Sequence, residues 1–168
     1  LSIPVSMLSQ SVGQAFYAEI AKMGQKESLA IKKMSFDLVI KLTLIGIIPF
    51  FVLINWGQEI FIIIFGDSWE LAGSFSQILA WSLVLNLVST PIISILNVFN
   101  KNKVYFFLNL SRIVLVILVF AFPSLYNLAV ECTIALYTAS LVFQYTLVLI
   151  VTFHIMNTQN PANRFTEC

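Results

Sequence analysis

Charged residues are scarce in this chain of 168 residues. Asp, Glu, Lys and Arg make up 10% of it, whereas soluble domains have about 25%. The nine Lys and Arg residues form no basic tract with interleaved aromatic residues, which is the usual mark of a nucleic-acid-binding surface. We therefore expect no nucleic acid among the partners.

Residues that carry chemistry are also few. The chain has one histidine, His154, and two cysteines, Cys132 and Cys168, which are far apart in sequence and predict neither a disulfide framework nor a metal site. There is no His-Glu-x-x-His, no Cys-x-x-Cys, no glycine-rich phosphate loop and no Gly-x-Ser-x-Gly. The sequence thus predicts a protein that is not an enzyme, with no catalytic residue, no cofactor and no bound metal.

Apolar residues are abundant instead: they make up 59% of the chain, and the mean hydropathy is +0.92. A water-soluble domain of this size exposes a large surface, which the few charges here could not cover. We therefore expect the surface to face a lipid bilayer.

The apolar residues fall into five runs bounded by charged or turn-forming residues. They span residues 1–20, 42–65, 75–99, 104–122 and 128–153. Each is about long enough to cross a bilayer core of roughly 30 Å, and lipid permits only helices or closed barrels. Because the short alternating pattern of barrel strands is absent, the sequence predicts an all-α, polytopic transmembrane bundle of about five spans over residues 1–153, with a tail at 154–168.

The positive charges alternate between connectors. The first connector has five lysines, the third has Lys101 and Lys103, and the tail has Arg164, whereas the second and fourth have no basic residue. Since short cytoplasmic loops carry the excess of Lys and Arg, the pattern predicts that the first and third connectors and the C-terminus are cytoplasmic.

The first connector, residues 22–41, is longer than a turn requires. Its apolar residues alternate with lysines, which is typical of an amphipathic helix lying in the headgroup region. A cytoplasmic extension of the following membrane helix explains the pattern equally well, and the sequence leaves both open.

Polar residues recur at helical spacing in several runs, which indicates faces buried in protein rather than in lipid. They are Ser82, Asn86, Ser89, Thr90 and Asn97 in the third run, Tyr105, Asn109 and Arg112 in the fourth, and Thr133, Tyr137, Ser140 and Gln144 in the fifth. The first run has small residues on one face, Ser2, Ser6, Ser9 and Gly13, suited to close helix packing. The second is almost uniformly apolar at 44–54 and is expected to face lipid. Two explanations of these polar stripes remain open: the side chains form interhelical hydrogen bonds, or they line a substrate path.

Arg112 falls near the middle of the fourth run. A lone charge at that depth costs at least about 2.5 kcal/mol even on permissive scales, so something must solvate or pair it. One interpretation is a contact for an anionic group, such as a lipid pyrophosphate or a sugar acid. The other is a structural arginine bonded to Asn109, to carbonyls of a neighbouring helix, or to Glu131.

The connector between the second and third runs reads Ile64-Phe65-Gly66-Asp67-Ser68-Trp69. Gly66 allows a tight turn at the helix exit, and Trp69 anchors the next helix at the interface. This element, with Phe65, Gly66 and Trp69 as its structural residues, resembles the Leu/Ile-Phe-Gly-x-x-Trp element of polysaccharide-unit (O-antigen type) flippases in the multidrug/oligosaccharidyl-lipid/polysaccharide exporter superfamily. The preceding basic segment, Pro49 within the second run, and Lys101-Asn102-Lys103 extend the resemblance.

The resemblance implies the C-terminal lobe of a larger two-lobed transporter in a bacterial inner membrane. Such a protein would move an undecaprenyl-pyrophosphate-linked oligosaccharide, a unit of O-antigen or a related surface polysaccharide, across the membrane without covalent chemistry. Its partners would be the lipid-linked oligosaccharide and an N-terminal lobe that is missing here, so that the chain would be a fragment. The first span would border the central cavity. Together with the polar stripes, this gives six substrate-pathway candidates: Ser6, Gln10, Asn86, Asn109, Arg112 and Gln144.

Two other functions remain open at this point. A drug or cation antiporter of the same superfamily would share the architecture, but none of the eight acidic residues falls in the middle of a run. A non-transporting membrane assembly subunit would use the polar stripes only for interhelical bonds.

Overall fold

A computed structural model describes residues 2–24, 27–126 and 129–158, with the side chains of residues 2–4 and 123–126 left aside. These residues form helices joined by short turns, and the described ranges hold no β-strand. The helices are α1 (Ser2–Met23), α2 (Ser28–Phe65), α3 (Glu70–Ile93), α4 (Ile95–Val98), α5 (Asn102–Tyr126) and α6 (Val130–Thr158), and a 3₁₀ turn, Asp67–Trp69, precedes α3. The predicted all-α class is confirmed.

Four stretches are long and apolar enough to cross a membrane: Ser28–Phe65, Asp67–Val98, Asn102–Phe122 and Val130–Thr158. The first predicted run corresponds to α1, which has 22 residues and so spans about 33 Å. α1 is long enough to cross a membrane, but it is less apolar than the other four stretches, because serines, glutamines and charged residues are interspersed along it.

The helix bounds differ from the predicted runs in several places, among them the end of α6, which continues to Thr158 although the tail is predicted to begin at residue 154. The connector at 22–41 forms no separate amphipathic helix, because its described part from Ser28 is the beginning of α2, whose 38 residues extend about 57 Å. The predicted fourth connector begins at Pro123, but α5 continues to Tyr126. The third run breaks at Ser94. Lys26, Asn127 and the tail from residue 159, with Arg164 and Cys168, lie outside the described residues.

The bundle has two distinct ends. At one, which we call the lysine end, a buried cluster joins the ends of α1, α3 and α6 to the beginning of α2 and to α4. Its members are Phe16, Ile20, Ile31, Ile92, Ile95, Phe99 and Met156. Lys22, Lys32 and Lys101 belong to the same ends of these helices and to the turn after α4. At the other, the Gly66 end, α2 turns into α3. Consecutive long helices therefore run in opposite directions, so that α1, α3 and α6 are parallel and all end at the lysine end.

α3 is the central helix and packs against α1, α2 and α6, while α5 packs mainly against α6. Much of α2 is exposed, including Ile48 at 69% and Ile63 at 82% of their surface. The apolar stretch at 44–54, which is expected to face lipid, is largely exposed apart from the buried Gly46. Because lipid is as apolar as these side chains, close packing and hydrogen bonds rather than water exclusion must hold the helices together.

Close packing is clearest where α2 crosses α3 near the Gly66 end. A Cβ atom placed on Gly73 would lie 2.5 Å from the Cα of Gln58 and 3.0 Å from the carbonyl oxygen of Gly57. A Cβ atom on Gly57 would in turn lie 2.8 Å from the Oγ of Ser76. Small residues therefore set the separation of these two helices, as is common in membrane bundles. Gln58 Nε2 also donates a hydrogen bond of 2.7 Å to Glu70 Oε1 beside the crossing.

Candidate functional site

The contact between α1 and α3 is built around Pro91. Proline has no N–H, so the carbonyl of Leu87, four residues earlier, lacks its usual helical donor. Ser9 of α1 supplies one: its Oγ donates to the Leu87 oxygen at 3.1 Å. One turn further on, a Cβ atom on Gly13 would lie 3.4 Å from the Pro91 Cα. The predicted close approach of the small face of α1 is confirmed for Ser9 and Gly13.

The same helix pair carries an open polar recess that we call the amide face. It has a volume of about 370 Å³ and is lined by Gln10, Gly13, Gln14, Tyr17, Thr90, Ser94 and Asn97. The side chains of Gln10, Gln14, Tyr17 and Asn97 are exposed. Uncharged amides, hydroxyls and one aromatic ring lie along this recess, most of its surface is apolar, and no charged residue lines it.

The position of the two glutamines on α1 makes this surface unusual. Gln10 and Gln14 lie in the middle third of Ser2–Met23, one helical turn apart on the same face. Transferring an unpaired amide from water into hydrocarbon costs roughly 4–8 kcal/mol. Where α1 crosses a bilayer, an exposed pair in the middle of the helix is stable only if it faces water, another protein segment or a polar ligand.

A second polar recess, the arginine cleft, lies between α3, α5 and α6. Its volume is about 190 Å³, and its polar lining residues are Ser89, Thr90, Tyr105, Asn109, Arg112, Gln144 and Tyr145. Tyr105, Asn109 and Arg112 lie at i, i+4 and i+7 on α5 and all three line this recess. Tyr105 and Arg112 are nevertheless exposed, so the burial predicted for this polar face is not found at these two residues. Thr90 lines both recesses, so only α3 separates them.

Arg112 has one side-chain partner in the cleft. Its Nη2 donates to the Tyr145 hydroxyl at 3.2 Å, and its guanidinium carbon lies 5.5 Å from the centroid of the same ring. The observed partner is none of the three that the sequence suggested, which were Asn109, carbonyls of a neighbouring helix and Glu131. Asn109 bonds the carbonyl of Tyr105 at 2.8 Å, and Glu131 is exposed at the beginning of α6.

Gln144 joins α5 to α6 by hydrogen bonds. Its Nε2 donates to the Leu108 carbonyl at 2.7 Å, and its amide exchanges hydrogen bonds with the Ser111 hydroxyl at 3.1 and 3.3 Å. The residue is 2% exposed. Its contacts are those of an interhelical clamp at the wall of the cleft, which leaves few of its donors for a ligand.

Four of the six sequence-predicted candidates therefore line one or other of the two recesses. Asn109, Arg112 and Gln144 come together in the arginine cleft, and Gln10 lies on the amide face. Ser6 and Asn86 line neither recess. Asn86 instead accepts a hydrogen bond of 2.8 Å from Thr90 through its side-chain oxygen.

The polar stripe predicted for the fifth run needs correction. The buried residues of α6 are Thr138, Leu141, Gln144, Tyr145, Val148, Thr152 and Met156, and of the predicted set only Gln144 is among them. The hydroxyls explain the error: Thr133 and Ser140 donate to carbonyls of their own helix three or four residues back. A hydroxyl satisfied in this way does not need a neighbouring helix.

Sequence reasoning also missed Gln14, Tyr17 and Tyr145. Gln14 follows Gln10 by one turn, and Tyr17 follows Gln14 at helical spacing, so the pattern was available in the sequence. Tyr145 directly follows Gln144 and gives no separate signal, because a tyrosine in an apolar run is usually core or interface.

The element at Ile64–Trp69 forms the predicted tight turn. Gly66 has φ 92° and ψ 171°, a conformation that is essentially restricted to glycine. Its N–H donates to Ile62 at 2.8 Å, and its carbonyl accepts from Trp69 at 3.0 Å. The rings of Phe65 and Trp69 lie 5.3 Å apart, which closes the turn on its apolar side.

Comparison of the chain with protein-family models, curated proteins and solved structures finds no match. Within the described residues, there is also no group of three or more His, Cys, Asp or Glu side chains arranged to hold a metal ion. The two recesses and the Gly66 turn are therefore the features of the chain that bear on function.

Proposed function

We propose that this chain is part of a flippase that moves a lipid-linked oligosaccharide across the inner membrane of a bacterium, with the amide face bordering the path. The lysine end would lie in the cytoplasm, as the distribution of lysines suggests. A second lobe would close the path from the other side. The substrate would be moved without being changed, so no catalytic group is needed.

The amide face is the observation that supports this proposal. Glutamine and asparagine side chains each offer two N–H donors and a carbonyl acceptor, which match the hydroxyl groups of sugars. Tyr17 adds an aromatic ring with a polar tip. Since no charged residue lines this recess, it suits a neutral, hydroxyl-rich group better than a cation, which favours a sugar substrate over a cationic drug.

The Gly66 turn gives independent support through the resemblance of its sequence to the flippase element. The turn is far from the amide face, at the opposite end of α2 from the lysine end. Its role in the proposal is structural, because it fixes how α2 leads into α3 and so where α3 presents Thr90 and Ser94.

Water access to the amide face is the first test. In a background where Cys132, which is free and exposed, and Cys168 are replaced by serine, Gln10→Cys and Gln14→Cys should react with a membrane-impermeant maleimide. Ile48→Cys, at an exposed apolar position of α2 that we expect to face lipid, should not react with the maleimide. Equal labelling at all three positions, or none at Gln10 and Gln14, would contradict a hydrated path.

Transport is the second test. The reading frame that includes the proposed N-terminal lobe is expressed in a strain lacking its oligosaccharide flippase, and surface polysaccharide is measured. Gln10→Leu combined with Gln14→Leu should abolish restoration, whereas Asn55→Leu, which removes an exposed amide from α2 outside the recess, should not. Restoration by the double variant at the wild-type level would count against the proposal, as would restoration by residues 1–168 alone.

A further inference from the structure

A groove that contains two lysines lies between the beginning of α2 and the end of α6. It has a volume of about 530 Å³, and we call it the lysine groove. Its lining residues are Leu29, Lys32, Lys33, Phe36, Val39 and Phe153. Phe153 belongs to α6, and the other five lie on one face of α2, because they follow one another at helical spacing. Val39 lies about 10 Å further along the helix axis than Lys32, so the groove leads from the lysines toward the middle of α2.

The positive charge of the lysine groove is not balanced by neighbouring side chains. No acidic residue lines the groove, and Glu27 and Asp37, the acidic residues that precede and follow the two lysines in sequence, lie outside it. Neither Lys32 nor Lys33 forms an ion pair within the part of the chain that the structure describes. Each ammonium group has three N–H donors, so the groove presents two positive charges and their donors to an anion.

The apolar residues of the groove indicate that this anion belongs to a membrane lipid. Leu29 and Phe36 are each 58% exposed, and the apolar surface continues along α2 into the exposed Ile40 and Leu44. A free phosphate or an acidic peptide would cover the lysines but would leave Phe36 in water. The level of a bilayer at which lipid phosphates meet hydrocarbon suits both kinds of side chain. Since α2 extends about 57 Å and a bilayer core is roughly 30 Å thick, the beginning of α2 can reach this level.

We propose that the lysine groove binds an anionic phospholipid of the membrane leaflet at the lysine end. The headgroup phosphate accepts hydrogen bonds from the ammonium groups of Lys32 and Lys33, and the hydrocarbon lies against Phe36, Val39 and Phe153. Because α2 packs mainly against α3 and scarcely against α6, the lipid fills a gap between α2 and α6. The site shares no residue with the amide face, and it does not depend on the transport proposal, because binding can be measured without transport.

The experiment uses the full chain in phosphatidylcholine nanodiscs that contain a small fraction of phosphatidylglycerol with a diazirine in one acyl chain. Photolabelling should be enriched at residues 29–39 and around Phe153, relative to residues 44–54, which report general contact with lipid. Replacing Lys32 and Lys33 together by glutamine should reduce the enrichment at least about fivefold, which is the effect of one basic residue near an anionic membrane surface. Replacing both by arginine should preserve it.

The matched control removes two other lysines. Lys41 and Lys103 are exposed and lie outside the groove, so that replacing both by glutamine changes the net charge equally and should leave the enrichment intact. An equal reduction in this control would show that the charge of the whole lysine end, rather than the groove, attracts the lipid, and would overturn the proposal.

Competitors added to the wild-type chain test the chemistry of the ligand. Unlabelled phosphatidylglycerol should displace the probe, whereas additional phosphatidylcholine, glycerol phosphate and a polyglutamate peptide should each do so at least about fivefold less well, given the same effect of charge at the membrane. Equal displacement by phosphatidylcholine would overturn the role of the charge. Equal displacement by glycerol phosphate or by the peptide would assign the groove to a soluble anion or to an acidic protein segment instead. This series decides the proposal even if the glutamine variant does not fold.

Discussion

The crossing of α2 and α3 allows a sharp prediction for Gly73→Ala. The added Cβ atom would lie 2.5 Å from the Gln58 Cα and 3.0 Å from the Gly57 oxygen, whereas non-bonded carbon atoms prefer about 3.5–4.0 Å. Both neighbours are backbone atoms, so no side-chain rotation can relieve the contact. The two helices must therefore separate by roughly 1 Å, given that preferred distance.

The magnitude follows from two opposing effects. Overpacking costs about 1–3 kcal/mol, while alanine in place of glycine within a helix returns about 0.5–1 kcal/mol. The difference of these ranges is about 0–2.5 kcal/mol, and from their midpoints we expect Gly73→Ala to lower the free energy of unfolding by about 1 kcal/mol. Separation of the helices would also stretch the Gln58–Glu70 hydrogen bond, which is 2.7 Å long.

Unfolding by sodium dodecyl sulfate in dodecyl maltoside micelles measures this loss. Tryptophan fluorescence is a suitable signal, because all three tryptophans lie on α2, α3 or the turn between them. Gly46→Ala is the matched control in the same interface: its Cβ atom would meet side-chain atoms of Leu87 and Val84 at 3.2 and 3.4 Å, which can move. If Gly73→Ala is as stable as Gly46→Ala, contact between backbone atoms does not determine the separation of α2 and α3 at this crossing.

Two further predictions concern the backbone. Ser9→Ala should destabilise the chain by about 0.6–1.7 kcal/mol, as for other hydrogen bonds between membrane helices. In a Pro91→Ala background the loss should be much smaller, because residue 91 regains an N–H for the Leu87 carbonyl. Equal losses in the two backgrounds of this double-mutant cycle would refute the coupling. Gly66→Ala should lower the free energy of unfolding by about 1–3 kcal/mol because of the backbone conformation of this residue. The loss should exceed that of Gly24→Ala, where φ is 66°. A larger loss for Gly24→Ala in the same unfolding assay would show that a side chain does not strain the Gly66 turn.

The candidate site could be predicted in part, and the reason lies in the type of polar group. Asn109 and Arg112 were found because amide and guanidinium groups repeat at helical spacing on α5, and both line the arginine cleft. Ser140 and Thr133 misled the prediction for α6 because their hydroxyls bond their own helix. In a membrane helix, the serine and threonine pattern is therefore a weaker guide to the buried face than the positions of glutamine and arginine.

The sequence by itself determined that this protein is all-α and apolar enough to cross a membrane several times, because run length and the shortage of charge depend on no tertiary contact. It also determined the turn at Gly66, whose backbone conformation only glycine adopts readily. The tertiary structure alone decided that Ser9 caps the carbonyl freed by Pro91, that Tyr145 rather than Glu131 meets Arg112, and that Thr90 stands between two recesses. Each of these depends on which helix faces which, and that choice is made by close contacts between residues distant in sequence.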